Sequence, residues 1–344
     1  MRLLSTMLVG AMMTTTATHA GTQATGGAAP VEMCFDVAPD GSAIFPTSTI
    51  PAQNRELLAV FHLAPDEHLR DLDAAWVAVD VGSVAPPNTV VAQGSLHLEP
   101  AMDHGLFRFT LPRNLPVGRY RLDVTANKQP WHSVEFAVVD GGAPAASSLR
   151  ELVPLDRGRV FTYAYTQQAS GPAKITSAPP GATLAKDGSL HAVVTMSVAS
   201  YDETGAHLQW RRGGVAFSDE WWRFDPKGLY VTRRVVGDET LSLDPPQTIM
   251  PWPVDGPKKW SYQSRDGKIR QEYRAWGPVA VPNPPGTNGS ARGYVVLLRE
   301  KSDPVEMTVE RHFLPDRGLV RSITTTALGQ RRVGREEMVL TSAR

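Results

Sequence analysis

An all-β chain of two domains is what this sequence predicts, with the second domain larger and assembled from two copies of one sheet-forming unit. Three observations carry the prediction. Apolar and polar residues alternate in one short run after another, no run shows helical periodicity, and two phrases each occur twice in the C-terminal half. One short helical turn is expected in the acid-rich stretch "PDEHLRDLD" at residues 65–73.

The N-terminus reads as an export signal over residues 1–20. Arg2 supplies the positive charge, "LLSTMLVGAMM" the apolar core, and Thr18 and Ala20 a small-x-small cleavage site. That core is too short for the about 20 residues a membrane helix needs, and no later stretch reaches that length. The mature chain is thus expected to be periplasmic or secreted from a bacterium, with no transmembrane segment. Residues 21–30, "GTQATGGAAP", form a flexible lead-in. The 344 residues exceed a typical single domain. Lys and Arg together number 35, as do Asp and Glu, so no electrostatic footprint for nucleic acid exists. Cys34 is the single cysteine and reads as a small buried hydrophobe at the start of a strand.

The first domain spans residues 31–139. "VEMCFDV", "ELLAVFHLA", "AAWVAVDV" and "TVVAQGSLHL" come first among seven strand candidates. In "GLFRFTL", Phe107, Phe109 and Leu111 share one face; "GRYRLDV" and "HSVEFAVV" repeat the pattern. Seven strands in about 110 residues suit an immunoglobulin-like sandwich. The ending, "LPRNLPVGRYRLDV" with its Pro-x-Gly-x-Tyr turn followed by "HSVEFAVV", resembles the last two strands of bacterial immunoglobulin-like modules. Residues 140–150, opening "DGGAPAASSL", are rich in small residues and read as a linker.

Ten strand candidates follow in residues 151–344. "PLDRGRVFTY" (154–163) matches "PVDGPKKWSY" (253–262), and "FDPKGL" matches "FLPDRGL". The two units therefore run from about 154 to 235 and from about 253 to 325. In the first closing phrase, Asp225, Pro226 and Gly228 occupy the first, second and fourth positions of a tight turn, with Phe224 ending one strand and Leu229 starting its partner. The second phrase has one extra residue, so Gly318 is expected to supply a positive φ in a longer loop. Asp225 and Asp316 are therefore expected to make turns and perform no reaction.

These phrases also resemble those of uncharacterised exported bacterial β-domain proteins. Such proteins open a domain on Pro-Leu-x-x-Gly-x-x-Trp-x-Tyr and close it on aromatic-x-Pro-x-x-Gly-Leu-Val. Here "PLDRGRVFTY" and "HFLPDRGLV" correspond, with Phe161 in place of the Trp. Their layout is similar to the open barrels of lipoprotein carriers and acceptors, in which a curved sheet surrounds an apolar cavity. The resemblance implies an open antiparallel barrel and a periplasmic role in binding a ligand or partner. The lipidation cysteine of anchored relatives is lacking.

No Gly-x-Ser-x-Gly, Ser-x-x-Lys or local Cys–His pair suggests a nucleophile, so no catalytic residue is expected. The histidines are scattered without metal spacing. Asp66, Glu67, His68, Asp71 and Asp73 read as a solvated loop or short helix, so neither a metal nor any other cofactor is expected. Asp219 and Glu220 are adjacent and would point to opposite faces of a strand; Glu310 lies near His312. Six of the eight Trp fall in the second domain. Trp210, Trp221, Trp222, Tyr230, Trp260 and Trp276 are the candidate ligand-binding residues, although most such rings are expected to fill a core. Together these readings lead to a non-catalytic envelope protein that binds a lipid or other apolar ligand, or another envelope protein along a sheet edge. The alternatives are a structural subunit of a surface assembly and a carbohydrate-active hydrolase using paired carboxylates.

Overall fold

The computed structural model describes residues 31–344 except 65, 66, 68, 100, 101, 143, 144 and 172. The export signal and lead-in read from the sequence lie outside the described residues. Two compact units divide at Gly142. Both are built from strands.

The first unit has nine strands in chain order: β1 (Val31–Val37), β2 (Ala43–Pro46), β3 (Thr49–Pro51), β4 (Glu56–His62), β5 (Asp71–Asp80), β6 (Thr89–His97), β7 (His104–Thr110), β8 (Gly118–Ala126) and β9 (Gln129–Val139). All seven candidate runs became strands; β2 and β3 are additional. One sheet has the order β2-β1-β4-β7 and the other β3-β9-β8-β5-β6. Their inner faces share one core, where Trp76 meets Phe107 edge-on at 6.3 Å and Phe61 lies 5.3 Å from Phe107. The Pro-x-Gly-x-Tyr turn works as an anchor. Tyr120 donates its hydroxyl proton to the Pro116 carbonyl at 2.7 Å. A Cβ on Gly118 would lie 2.3 Å from the Asp80 carbonyl oxygen, so only glycine fits there. The helical turn expected at 65–73 is not formed in the described part of that stretch, because Asp71 and Asp73 already belong to β5 and pair with β6. Cys34 is buried, and burial, with Asp36 and Glu32 adding to it, pushes its thiol up to about 12. It is an inert packing group at ordinary pH.

The second unit opens on a short helix, α1 (Leu149–Leu152), and continues with thirteen strands. The first half runs β10 (Val160–Ala169), β11 (Ala182–Leu184), β12 (Leu190–Tyr201), β13 (Gly205–Arg212), β14 (Val215–Asp225), β15 (Gly228–Val236) and β16 (Glu239–Pro251). The second half runs β17 (Lys258–Gln263), β18 (Arg270–Pro282), β19 (Ser290–Ser302), β20 (Val305–Leu314), β21 (Gly318–Leu328) and β22 (Arg331–Ala343). The ten candidate runs are all strands, with β11, β14 and β16 added to them.

Twelve of these strands form one antiparallel, nearly closed barrel-like sheet ordered β16-β15-β14-β13-β12-β10-β22-β21-β20-β19-β18-β17, with β11 attached to β12. This is an up-and-down meander in which the first and last strands of the unit pair with each other. Phe161 through Ala169 register against Ala343 through Gly334. The one unzipped position is between β16 and β17, which follow one another in the chain. Each half contributes six barrel strands in the same succession, so β10 corresponds to β17 and the turn after β14 to the turn after β20. The opening phrases fall on β10 and β17, where Tyr163 and Tyr262 are both buried.

The closing phrases make the expected turns. Asp225 Oδ1 accepts from the Lys227 and Gly228 amides at 2.8 and 3.1 Å, and Phe224 pairs with Leu229. In the longer loop, Gly318 has φ +69°, and Asp316 also adopts the left-handed region at +59°. Residues 145–150, expected within a linker, are instead part of this unit. Ser148 caps α1 by accepting from the Glu151 amide, and Ala146, Leu149, Leu152, Val153 and Leu155 are buried. The segment bonds to Tyr294, Glu203 and Asp316, which places it across one end of the barrel.

Candidate functional site

Alternation along the barrel strands fixes what faces inward. On β13 these are Ala206, Leu208, Trp210 and Arg212; on β14, Ser218, Glu220, Trp222 and Phe224. Towards the α1 end the interior is apolar, with Phe161, Leu229, Tyr294 and Phe313 buried. Towards the other end charged groups stand among the rings.

Glu220 and Arg234 form the centre of the polar part. Arg234 Nε donates to Glu220 Oε1 at 2.6 Å, and the Trp222 indole N–H donates to the other oxygen at 2.9 Å. Burial alone would raise the Glu220 pKa, but Arg234 and Trp222 outweigh it and hold the carboxyl below its ordinary range. Glu220 is therefore an ionised, fully engaged counterion. From Arg234 the network passes to Gln247, which donates to the Tyr273 hydroxyl at 2.9 Å. Tyr273 then donates to Gln271 at 2.8 Å, and Gln271 donates to Glu300 at 2.6 Å.

A second group lies on the neighbouring strands. Glu336 accepts from Gln167, whose amide oxygen accepts from the Tyr165 hydroxyl at 3.3 Å. Burial raises Glu336 to about 7, against the smaller downward pull of Tyr165 and Arg212. Arg212 is only 6% exposed; its Nε donates to the Pro180 carbonyl at 3.0 Å. Gly181 makes that approach feasible, since a Cβ there would lie 1.9 Å from the Arg212 carbonyl oxygen.

Both groups border one interior cavity of about 40 Å³, whose lining includes Trp210, Arg212, Glu220, Arg234, Arg311 and Glu336. That volume holds roughly three waters at about 10–15 Å³ each. An apolar ligand pocket needs about 300 Å³ or more.

The six candidate aromatic residues do not converge. Trp210 and Trp222 line the cavity. Trp221 stands on the outer face, stacked on His207 at 4.3 Å and covered by Arg233 at 4.4 Å, while His207 bonds Asp219 at 2.8 Å. Tyr230 is also outside, beneath Arg223 at 4.8 Å. Trp276 is buried at a register position shared with Val295 and His312, opposite to the cavity-facing Arg311. Trp260 sits at the unzipped seam, stacked on Tyr273 at 5.0 Å, and donates across it to the Thr248 carbonyl at 3.1 Å. Asp219 and Glu220 take opposite faces, as alternation requires. Sequence reading missed Arg212, Arg234, Arg311 and Glu336. A signal was nonetheless present for three of them, because Arg212, Arg311 and Glu336 each stand two residues from a buried apolar neighbour on an alternating strand, whereas the register shift after Val231 takes Arg234 out of that phase.

The seam itself is restrained. The β16 ladder loses register between Val231 and Arg233, where Pro245 and Pro246 interrupt it. The Asp244 carbonyl in that bulge accepts from the Arg265 amide at 3.0 Å, and its carboxylate pairs with the Arg265 guanidinium. β17 is short and begins with Lys258 and Lys259. Proline, lysine and brevity are the usual ways of blunting a sheet edge.

No family model matches the chain, and no curated protein matches it. Among solved structures it is similar to a Bacteroides fragilis protein described as a "putative exported protein with YmcC-like fold". The identity is 13%, the TM-score 0.26, and the match covers 56% of this chain and 98% of the other. Among the described residues no helix is long and apolar enough to cross a membrane, and no three His, Cys, Asp or Glu side chains gather as a metal site requires.

Proposed function

We propose that this chain is an exported, non-catalytic binding protein of the bacterial envelope, with its ligand's polar group held inside the C-terminal barrel. One observation carries the reading: a cavity walled by aromatic rings, the buried Arg212 and Arg234 and the part-buried Arg311, where packing alone would favour apolar side chains. A buried ion pair contributes little net stability compared with apolar residues of the same volume. Keeping Arg212, Arg234 and Arg311 inside a barrel is therefore better explained by something they bind. The small cavity argues against a lipid chain, and the blunted edges of β16 and β17 argue against strand addition by a partner protein.

Native mass spectrometry of the protein purified from its own host tests the reading. A bound polar small molecule, lost when Arg311→Met is introduced, is the expected result. A protein without any bound species, unresponsive to host metabolite extract, would refute it.

One observation favours a second reading, a hydrolase. Glu220 and Glu336 line the same cavity with acidities displaced in opposite directions, a pattern shared by acid–base pairs. Binding remains preferred because both Glu220 oxygens are already occupied by Arg234 and Trp222. Turnover of aryl glycosides that disappears in both Glu220→Gln and Glu336→Gln would reverse that preference.

A further inference from the structure

We infer that the barrel cavity is a site for a small oxyanion, a carboxylate or phosphate group, received by Arg212, Arg311 and the Trp210 indole N–H. The inference rests on the binding reading above and supplies the chemistry of the bound group.

The argument starts from donors that are left over. Arg212 spends Nε on the Pro180 carbonyl, yet its Nη1 is buried without a hydrogen-bond partner. Two residues earlier on the same face of β13, the Trp210 indole N–H is also buried without a partner, in a side chain 1% exposed. Unpaired buried donors are rare, because each loses its water without recovering a hydrogen bond. Here two occur together and line the same cavity.

The charges around that cavity point the same way. Arg234 is neutralised by Glu220 at 2.6 Å. Glu337 is bound by Arg321. Three guanidinium groups, Arg212, Arg234 and Arg311, thus face two carboxylates, with Glu220 also drawn on by Arg311 and Glu336 shared among Gln167, Tyr165 and Arg212. An anion placed among them would accept from the unused Nη1 and indole protons, and Ser322 and Thr324 add hydroxyls to the same wall. The cavity of about 40 Å³ suits a single oxyanion group and excludes a bulky headgroup. Guanidinium suits this task because its planar fork matches the oxygens of carboxylate and phosphate. Pro180 behind Arg212, fixed by the close approach of Gly181, holds the fork in place.

Calorimetric titration of the full chain with acetate, inorganic phosphate and acetamide, each up to roughly 10 mM, tests the inference. Saturable binding of acetate or phosphate, with none of acetamide, is expected; which anion binds separates a carboxylate-ended ligand from a phosphate. Arg212→Met should weaken that binding about tenfold or more. Arg223→Met, on the outer face, should leave it unchanged. If Arg212→Met does not fold, Arg212→Lys keeps the charge without the fork and should still weaken binding severalfold. Absence of saturable anion binding, equal binding of acetamide, or binding indifferent to both Arg212 variants would overturn the inference. A neutral ligand found by native mass spectrometry would also overturn it while leaving the binding reading intact.

Discussion

Glu336→Gln isolates the energetic consequence of placing a carboxyl inside the barrel. In the folded chain Glu336 titrates at about 7, against 4.5 as the ordinary value. The folded pKa is the higher one. Its contribution to stability is therefore fully present below about pH 4.5 and is lost as pH rises through about 7. A displacement of roughly 2.5 units corresponds to about 3 kcal/mol, at about 1.4 kcal/mol per unit. Gln is close to Glu in shape and cannot ionise. The groups facing it are Tyr165 and Gln167 from β10 and Arg212 from β13.

The assay is urea unfolding of the wild type and the Gln variant from pH 4 to pH 8.5, followed by tryptophan fluorescence. Titrations common to both proteins cancel in the difference between the two stability curves. At pH 4 the two should differ by less than about 1 kcal/mol. By pH 8.5 the variant should have gained about 3 kcal/mol relative to the wild type. A flat difference curve would refute the reasoning, as it would mean that Glu336 ionises in the folded barrel as readily as in the unfolded chain.

Arg234→Met should destabilise the barrel by about 3–5 kcal/mol, because Glu220 would be left buried without its counterion. Adding Glu220→Leu should recover most of that loss in chemical denaturation; an additive double variant would contradict the pairing. Leu152 on α1 is fully buried, so Leu152→Ala should cost about 2–5 kcal/mol by the same measurement. A negligible loss would show that the helix does not cap the barrel. Trp260→Phe keeps the ring stacked on Tyr273 but removes the bond to Thr248, at a cost of about 1 kcal/mol. Hydrogen exchange should accelerate in β16 and β17 and remain unchanged in β10 and β22; uniform acceleration would contradict a localised seam.

What could be read in advance followed from local rules. Alternation located "GLFRFTL" and "GRYRLDV" as strands because each has one wet face and one dry face. Asp225, Pro226 and Gly228 announced their turn because their backbone preferences do not depend on distant contacts. β16 was missed because Pro245 and Pro246 break its pattern, and that break is a tertiary device: the bulge reaches the Arg265 hairpin across the seam. Residues 145–150 looked like a linker because Ala and Ser carry no periodic signal. Their burial depends on barrel strands far along the chain.

The site was harder to see for a different reason. Its charges occupy positions where alternation demands apolar side chains, so a reading that weighs hydrophobic pattern treats them as imperfections. "W-x-R" on β13, "E-x-W" on β14, "R-x-F" on β20 and "E-x-M" on β22 each set a charged residue in phase with a buried one. Four such placements on four strands cannot all be relieved by tilting a side chain to solvent, because the barrel wraps their common face inward. They must satisfy one another or hold something between them. Glu220 and Arg234 satisfy one another. Arg212 and Trp210 still have protons to donate, and on that remainder the proposed binding cavity rests.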